Sequence, residues 1–316
     1  GTQYMIMMIV WVVAGVIISG FGISRHLNYY SSNALCELEF LVPVVVLLIL
    51  DRFEVMRGTR MKTVGIRVIL WSLLLSLLLL PVMNLLNMVS QFVVPNAVSE
   101  QVAYYAQVTG SQIWSNPLWL NLLYIAVLPA IVEEFIFRGV LYQGLRNCGL
   151  SKTVLITSAM FGLAHGNLNQ FLYSFVIGIF LALLTEASGS IFTSMIVHGI
   201  LNAIPVLFVY TRDYLPKPLV SVLTGMTDPS FSVRDLSLVF WIIMGVVVVA
   251  CIILGLVVLR QIARTAGRDV IYLNAKKGRD CLRGKLAKVF SVPMLIGLVI
   301  PVGYIGIMML IQVLKK

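Results

Sequence analysis

Residues Leu128 to Arg146 read LPAIVEEFIFRGVLYQGLR, an apolar helical run broken by Glu133, Glu134 and Arg138. An ionisable side chain in hydrocarbon costs at least ~2.5 kcal/mol on insertion scales, so three in one apolar stretch mark a functional site if that stretch crosses a bilayer. The flanking sequence says that it does. A hydrocarbon core of ~30 Å needs roughly 20 apolar residues per helix. Such runs, some of them short, occur at 4–22, 38–50, 64–86, 118–145, 152–165, 170–185, 190–210, 235–259 and 289–314. The expected fold is all-α, a polytopic transmembrane helix bundle of eight or nine spans, eight if the short run at 38–50 does not cross.

Composition points the same way: 316 residues that are 59% hydrophobic and 11% charged do not make a soluble domain. The formal charge is +10, and the position of the cations decides its meaning. Arg260, Arg264, Arg268, Lys276, Lys277, Arg279, Arg283, Lys285 and Lys288 lie between the last two apolar runs. Arg52, Arg57, Arg60 and Lys62 lie in an earlier connection, and Arg146 and Lys152 in a third. All three connections fall on one side if the N-terminus is cytoplasmic, the arrangement that positive-inside orientation favours. No aromatic pattern interleaves these residues, so nucleic acid is not an expected partner; the bilayer is. Cys36, Cys148, Cys251 and Cys281 lack CxxC spacing and suggest neither a zinc ribbon nor a disulfide framework. Tyr4 to Phe21 has no basic leader and reads as the first membrane helix, with Met5, Met7, Met8 and Trp11 expected to face lipid. The chain divides into N-terminal membrane helices with an outer loop (1–117), a core (118–210), and an outer loop, two spans and a basic cytoplasmic loop (211–316).

Spacing tells which polar groups can act together. Glu134 and Arg138 are i, i+4 with the acid first, the favourable order for an ion pair on one helix face. Glu133 points about 100° away from that pair. His198 and Asn202 share a face of the seventh run at the same spacing, and Phe161 stands one turn before His165, where an aromatic packs rather than reacts. At ~1.5 Å per residue, Glu133 lies roughly 20 Å above Arg146, His165 roughly 20 Å above Lys152, and His198 and Asn202 roughly 12 and 18 Å above Ser190. Three helices thus carry polar groups at similar depth, which predicts one pocket inside the bilayer.

EEFIFR (Glu133 to Arg138), FGLAH (Phe161 to His165) and HGILN (His198 to Asn202) match, in order, EExxxR, FxxxH and HxxxN. In this the chain resembles the CPBP family of intramembrane proteases, also called Abi or type II CAAX prenyl endopeptidases, over about residues 118 to 210. The resemblance implies that Glu133 and His165 activate a water and that His198 and Asn202 hold the oxyanion; the i, i+4 pair Glu134 and Arg138 is read as structural support. It implies a membrane-associated peptide or protein as substrate. Two other functions use the same residues: a noncatalytic membrane scaffold or regulator of the same fold, and a proton-coupled transporter. No cofactor is favoured. If zinc is used, Glu133, His165 and His198 would be its ligands with water in the fourth position.

Overall fold

The computed structural model describes residues 2–21, 27–51, 58–93, 115–215, 236–269 and 291–314. These form nine helices: α1 (Thr2–Gly20), α2 (Tyr29–Leu50), α3 (Ile66–Val93), α4 (Leu118–Leu145), α5 (Leu150–Ala164), α6 (Leu168–Ser188), α7 (Ile191–Thr211), α8 (Leu238–Thr265) and α9 (Val292–Leu314). Seven are long and apolar enough to cross a membrane; the apolar stretches at Thr2–Ile18 and Leu150–Ala164 are shorter. The protein is a multi-pass, all-helical membrane bundle. Most of the basic stretch 260–288, most of the connections 87–117 and 211–234, and Lys315 and Lys316 lie outside the described residues.

Two apolar clusters build the interior. One joins α1, α2, α4, α5 and α9 through Met7, Met8, Phe40, Val44, Ile136 and Phe161. The other joins α3, α6, α7 and α8 through Leu75, Leu181, Val197 and Leu259. α4 packs against α7 where the two halves meet, so polar groups on α4 and α7 are removed from lipid on both sides. Lipid faces α8 instead, where Ile242, Val246, Ile253 and Val257 are exposed. The expected lipid exposure of α1 is corrected for three of its four residues. Met7 and Met8 are fully buried, and Trp11 stacks on Phe40 at 5.9 Å and meets Tyr304 edge-on at 4.8 Å. The cause is the packing of α1 against both α2 and α9, which covers a helix too uniformly apolar to show an inward face.

α4 is not a regular α-helix. Leu122–Val127 and Phe135–Leu141 are π-helical, and an α-helical segment, Leu128–Glu134, containing Pro129, lies between them. π-turns inside α-helices are rare and frequently occur at functional sites. Here the two wide stretches bracket Glu133 and Glu134.

Each end of the bundle is tied by polar contacts. At one, Tyr30 donates to Asn121 Oδ1 at 2.8 Å and Asn121 Nδ2 donates to the Tyr210 hydroxyl at 2.7 Å, linking α2, α4 and α7. At the other, the buried Glu186 accepts from Arg60 at 3.0 Å, Arg146 at 2.8 Å, Arg268 at 3.3 Å and the Tyr142 hydroxyl at 3.2 Å. Burial pulls the Arg60 guanidinium below its ordinary pKa, with Glu186 opposing the shift. One carboxylate thereby gathers the chain before α3, the end of α4 and the residues after α8.

Candidate active site

The centre of the site is His198, which α7 presents to α4. Its Nδ1 lies 3.0 Å from Glu134 Oε1 and its Nε2 lies 3.7 Å from Glu133 Oε2. The same Glu134 oxygen accepts from Arg138 Nη1 at 2.8 Å, and Glu134 and Arg138 are both buried. A buried ion pair needs further hydrogen bonds to offset its desolvation. Arg138 finds one in the Gly178 carbonyl of α6 at 3.2 Å, and its guanidinium lies 4.4 Å above the Phe161 ring. The carboxylate accepts from the imidazole, so Nδ1 of His198 carries a proton and its Nε2 is turned toward Glu133.

Phe161 is the packing hub. Its ring meets His165 edge-on at 5.0 Å, His198 at 5.7 Å and Phe137 at 5.2 Å. It thereby fixes the orientation of two imidazoles and one guanidinium. His165 stands at the C-cap of α5, where helix carbonyls lose their intrahelical donors. Its Nδ1 lies 2.9 Å from the Phe161 carbonyl. A carbonyl only accepts, so Nδ1 carries the proton and Nε2 is left as a basic lone pair.

The structure therefore brings Glu133, Glu134, Arg138, Phe161, His165 and His198 into one neighbourhood at the junction of the two clusters. It does not put Glu133 against His165: among the described residues no hydrogen bond or ion pair joins them. Glu133 lies instead beside His198. Two neighbouring carboxylates reach one ring because the imidazole offers nitrogens on opposite edges. Asn202 stands one turn beyond His198 and is half-buried, without a hydrogen-bond partner among the described residues. No three His, Cys, Asp or Glu side chains among the described residues are arranged to hold a metal ion. No step below passes through a metal.

Two carboxylates within the helices, Glu186 buried and Glu37 half-buried, were not singled out from the sequence. Glu37 falls just before the apolar run assigned at 38–50, and Glu186 just after the run at 170–185; the helices extend past these limits and include both acids. The signal that could have found them is the carboxylate itself, next to an apolar run too short to cross.

No curated protein and no solved structure matches the chain. Residues 114–204, which contain α4, α5, α6 and the His198–Asn202 turn of α7, match the family model described as type II CAAX prenyl endopeptidase Rce1-like, so that segment is similar to the family to which the three motifs pointed.

Proposed function

We propose that the protein is an intramembrane endopeptidase that hydrolyses a peptide bond of a membrane-associated peptide or protein. The observation that carries this reading is Glu133. Its Oε2 is buried with no hydrogen-bond donor among the described residues and faces a histidine whose other nitrogen is already fixed. A carboxylate left unpartnered in a membrane interior costs stability, and an ion pair for packing alone is already supplied next door by Glu134 and Arg138.

In the proposed reaction Glu133 takes a proton from water as the water oxygen bonds to the scissile carbonyl carbon. His165 orients that water through its unprotonated Nε2. The oxyanion is held by Nε2 of His198 and by the Asn202 carboxamide on the same face of α7. To donate through Nε2, His198 must carry both protons. Glu133 returns its proton to the leaving nitrogen as the C–N bond breaks. Donors held in place before the reaction need no reorganisation in the transition state, and each such donor contributes roughly 3 to 4 kcal/mol.

Glu133→Gln tests the proposal: the isostere keeps size and hydrogen bonding but not basicity. Cleavage of a membrane-reconstituted peptide should be abolished while expression and monodispersity in detergent stay near wild type. Activity within about tenfold of wild type would sink the assignment, since losing a general base costs 10²-fold or more. Metal analysis of the same preparations should find no stoichiometric zinc; zinc in active enzyme that disappears with His165 or His198 would replace this mechanism with a metal-assisted one.

A further inference from the structure

The end of the bundle that carries Glu186 also holds a cleft of about 480 Å³. Its walls come from three places in the chain: Thr63, Gly65 and Arg67 around the start of α3, Ser188 at the end of α6, and Thr265 and Ala266 at the end of α8. That volume suits a small ligand or a headgroup. The walls are pinned before anything binds. The Arg60 carbonyl accepts from Ile191 N at 3.2 Å, the Ser190 hydroxyl donates to the Lys62 carbonyl, and Arg268 Nε donates to the Glu186 carbonyl at 3.1 Å. Gly189 makes room for that last contact, because a Cβ there would lie 2.9 Å from Arg268 Cδ. Arg60 itself has a φ of 58°. A residue with a side chain holds that strained conformation only where its surroundings fix it, and such positions cluster at ligand clamps.

Charge selects the ligand. Arg60, Arg146 and Arg268 converge on the single Glu186 carboxylate, so three guanidiniums meet one negative charge and the cluster keeps an excess of two positive charges. Asp269, just after α8, is opposed by Arg264 at 3.9 Å and does not cancel that excess. Arg67, on the cleft wall itself, is exposed and has no hydrogen bond or ion pair among the described residues. Next to the cleft α3 and α8 pack along each other and turn Leu70, Leu77, Ile253 and Val257 outward. A ligand that fits both features has an anionic head and an apolar body. We propose that the cleft binds the phosphate headgroup of an anionic phospholipid, with Arg67 as its direct cation. The guanidiniums around Glu186 supply the surrounding positive field, and the acyl chains lie on the outward faces of α3 and α8. Basic pockets between membrane helices at headgroup level take such lipids. The site shares no residue with the pocket between α4 and α7 and does not depend on the hydrolytic reading.

The test titrates the purified, delipidated protein in detergent with dioleoylphosphatidylglycerol, and with dioleoylphosphatidylcholine as the control without net charge. Native mass spectrometry counts the bound lipid, and the thermal midpoint is read on the same samples. Phosphatidylglycerol should be retained as a single copy and raise the midpoint, and phosphatidylcholine should do neither. Arg67→Gln should weaken phosphatidylglycerol binding about fivefold, the effect of one cation at a headgroup. Its lipid-free midpoint should stay at the wild-type value, because Arg67 is exposed. Arg67→Lys should keep most of the affinity, and Lys152→Gln, on α5 at the same end of the bundle, should keep all of it. The proposal is overturned if phosphatidylcholine binds as tightly as phosphatidylglycerol, or if Arg67→Gln binds phosphatidylglycerol as the wild type does. It is overturned equally if Lys152→Gln weakens binding as much as Arg67→Gln, which would mean diffuse surface charge and no site. Inorganic phosphate that matched the stabilisation by the lipid would assign the cleft to a free anion and defeat the lipid reading.

Discussion

Glu133 and Glu134 are adjacent in sequence and chemically identical, yet the structure separates them by environment. Glu134 is closed in by Arg138 and His198 with no exposed surface, while Glu133 retains 19% side-chain exposure and lies 3.7 Å from His198. Their variants should therefore differ in kind. Glu134→Gln leaves Arg138 buried without a counter-charge and weakens the acceptor that holds Nδ1 of His198. We expect a stability loss of about 3 kcal/mol or more, read as a lowered thermal midpoint in detergent, with any fall in activity following from it. A Glu134→Gln protein as stable as wild type but inactive would mean that the two carboxylates exchange roles. EEFIFR is legible as a motif, but which glutamate meets which nitrogen is not, because that depends on how α7 approaches α4.

At the scale of elements, the site depends on the close approach of α5 and α6. A Cβ on Gly178 would lie 3.2 Å from the Ser158 Cα and 3.3 Å from the Phe161 Cδ1. Small residues at membrane helix contacts allow such approach, and here the same residue's carbonyl accepts from Arg138. Gly178→Ala should push α5 away by a few tenths of an ångström and disturb both the Phe161 hub and the Arg138 bond. The expected result is a lower thermal midpoint with kcat reduced more than KM is raised; a variant with wild-type kcat would show that this packing does not set the geometry of His165. The π-stretches of α4 belong to this scale too. Pro129 announces an irregular helix from sequence, but the widened turns on both sides of the glutamates arise from packing against α2 and α7.

For the whole molecule, orientation is the open question that charge answers. Arg60, Lys62, Arg146, Lys152, Arg264 and Arg268 gather at the end of the bundle where α4 finishes, and Glu186 binds three of them. The positive-inside rule predicts that this end, and with it the N-terminus, faces the cytoplasm. Single cysteines in a Cys-free background should report it. A cysteine at Lys152 should resist an impermeant reagent in intact cells, and one at Ser115 should react. The reverse pattern would invert the proposed orientation without disturbing the helix packing.

A bundle of eight or nine spans and three motifs could be read from the chain because their causes are local. An apolar run of sufficient length has to become a helix in a bilayer, and an acid, arginine or histidine within it has to have a partner. Convergence has no local cause. The burial of Met7 and Met8, the meeting of His198 with both glutamates of α4, and the four groups gathered on Glu186 follow from helix rotation and neighbour choice. Those are settled by packing among surfaces that composition leaves nearly uniform, so only the assembled bundle decides them.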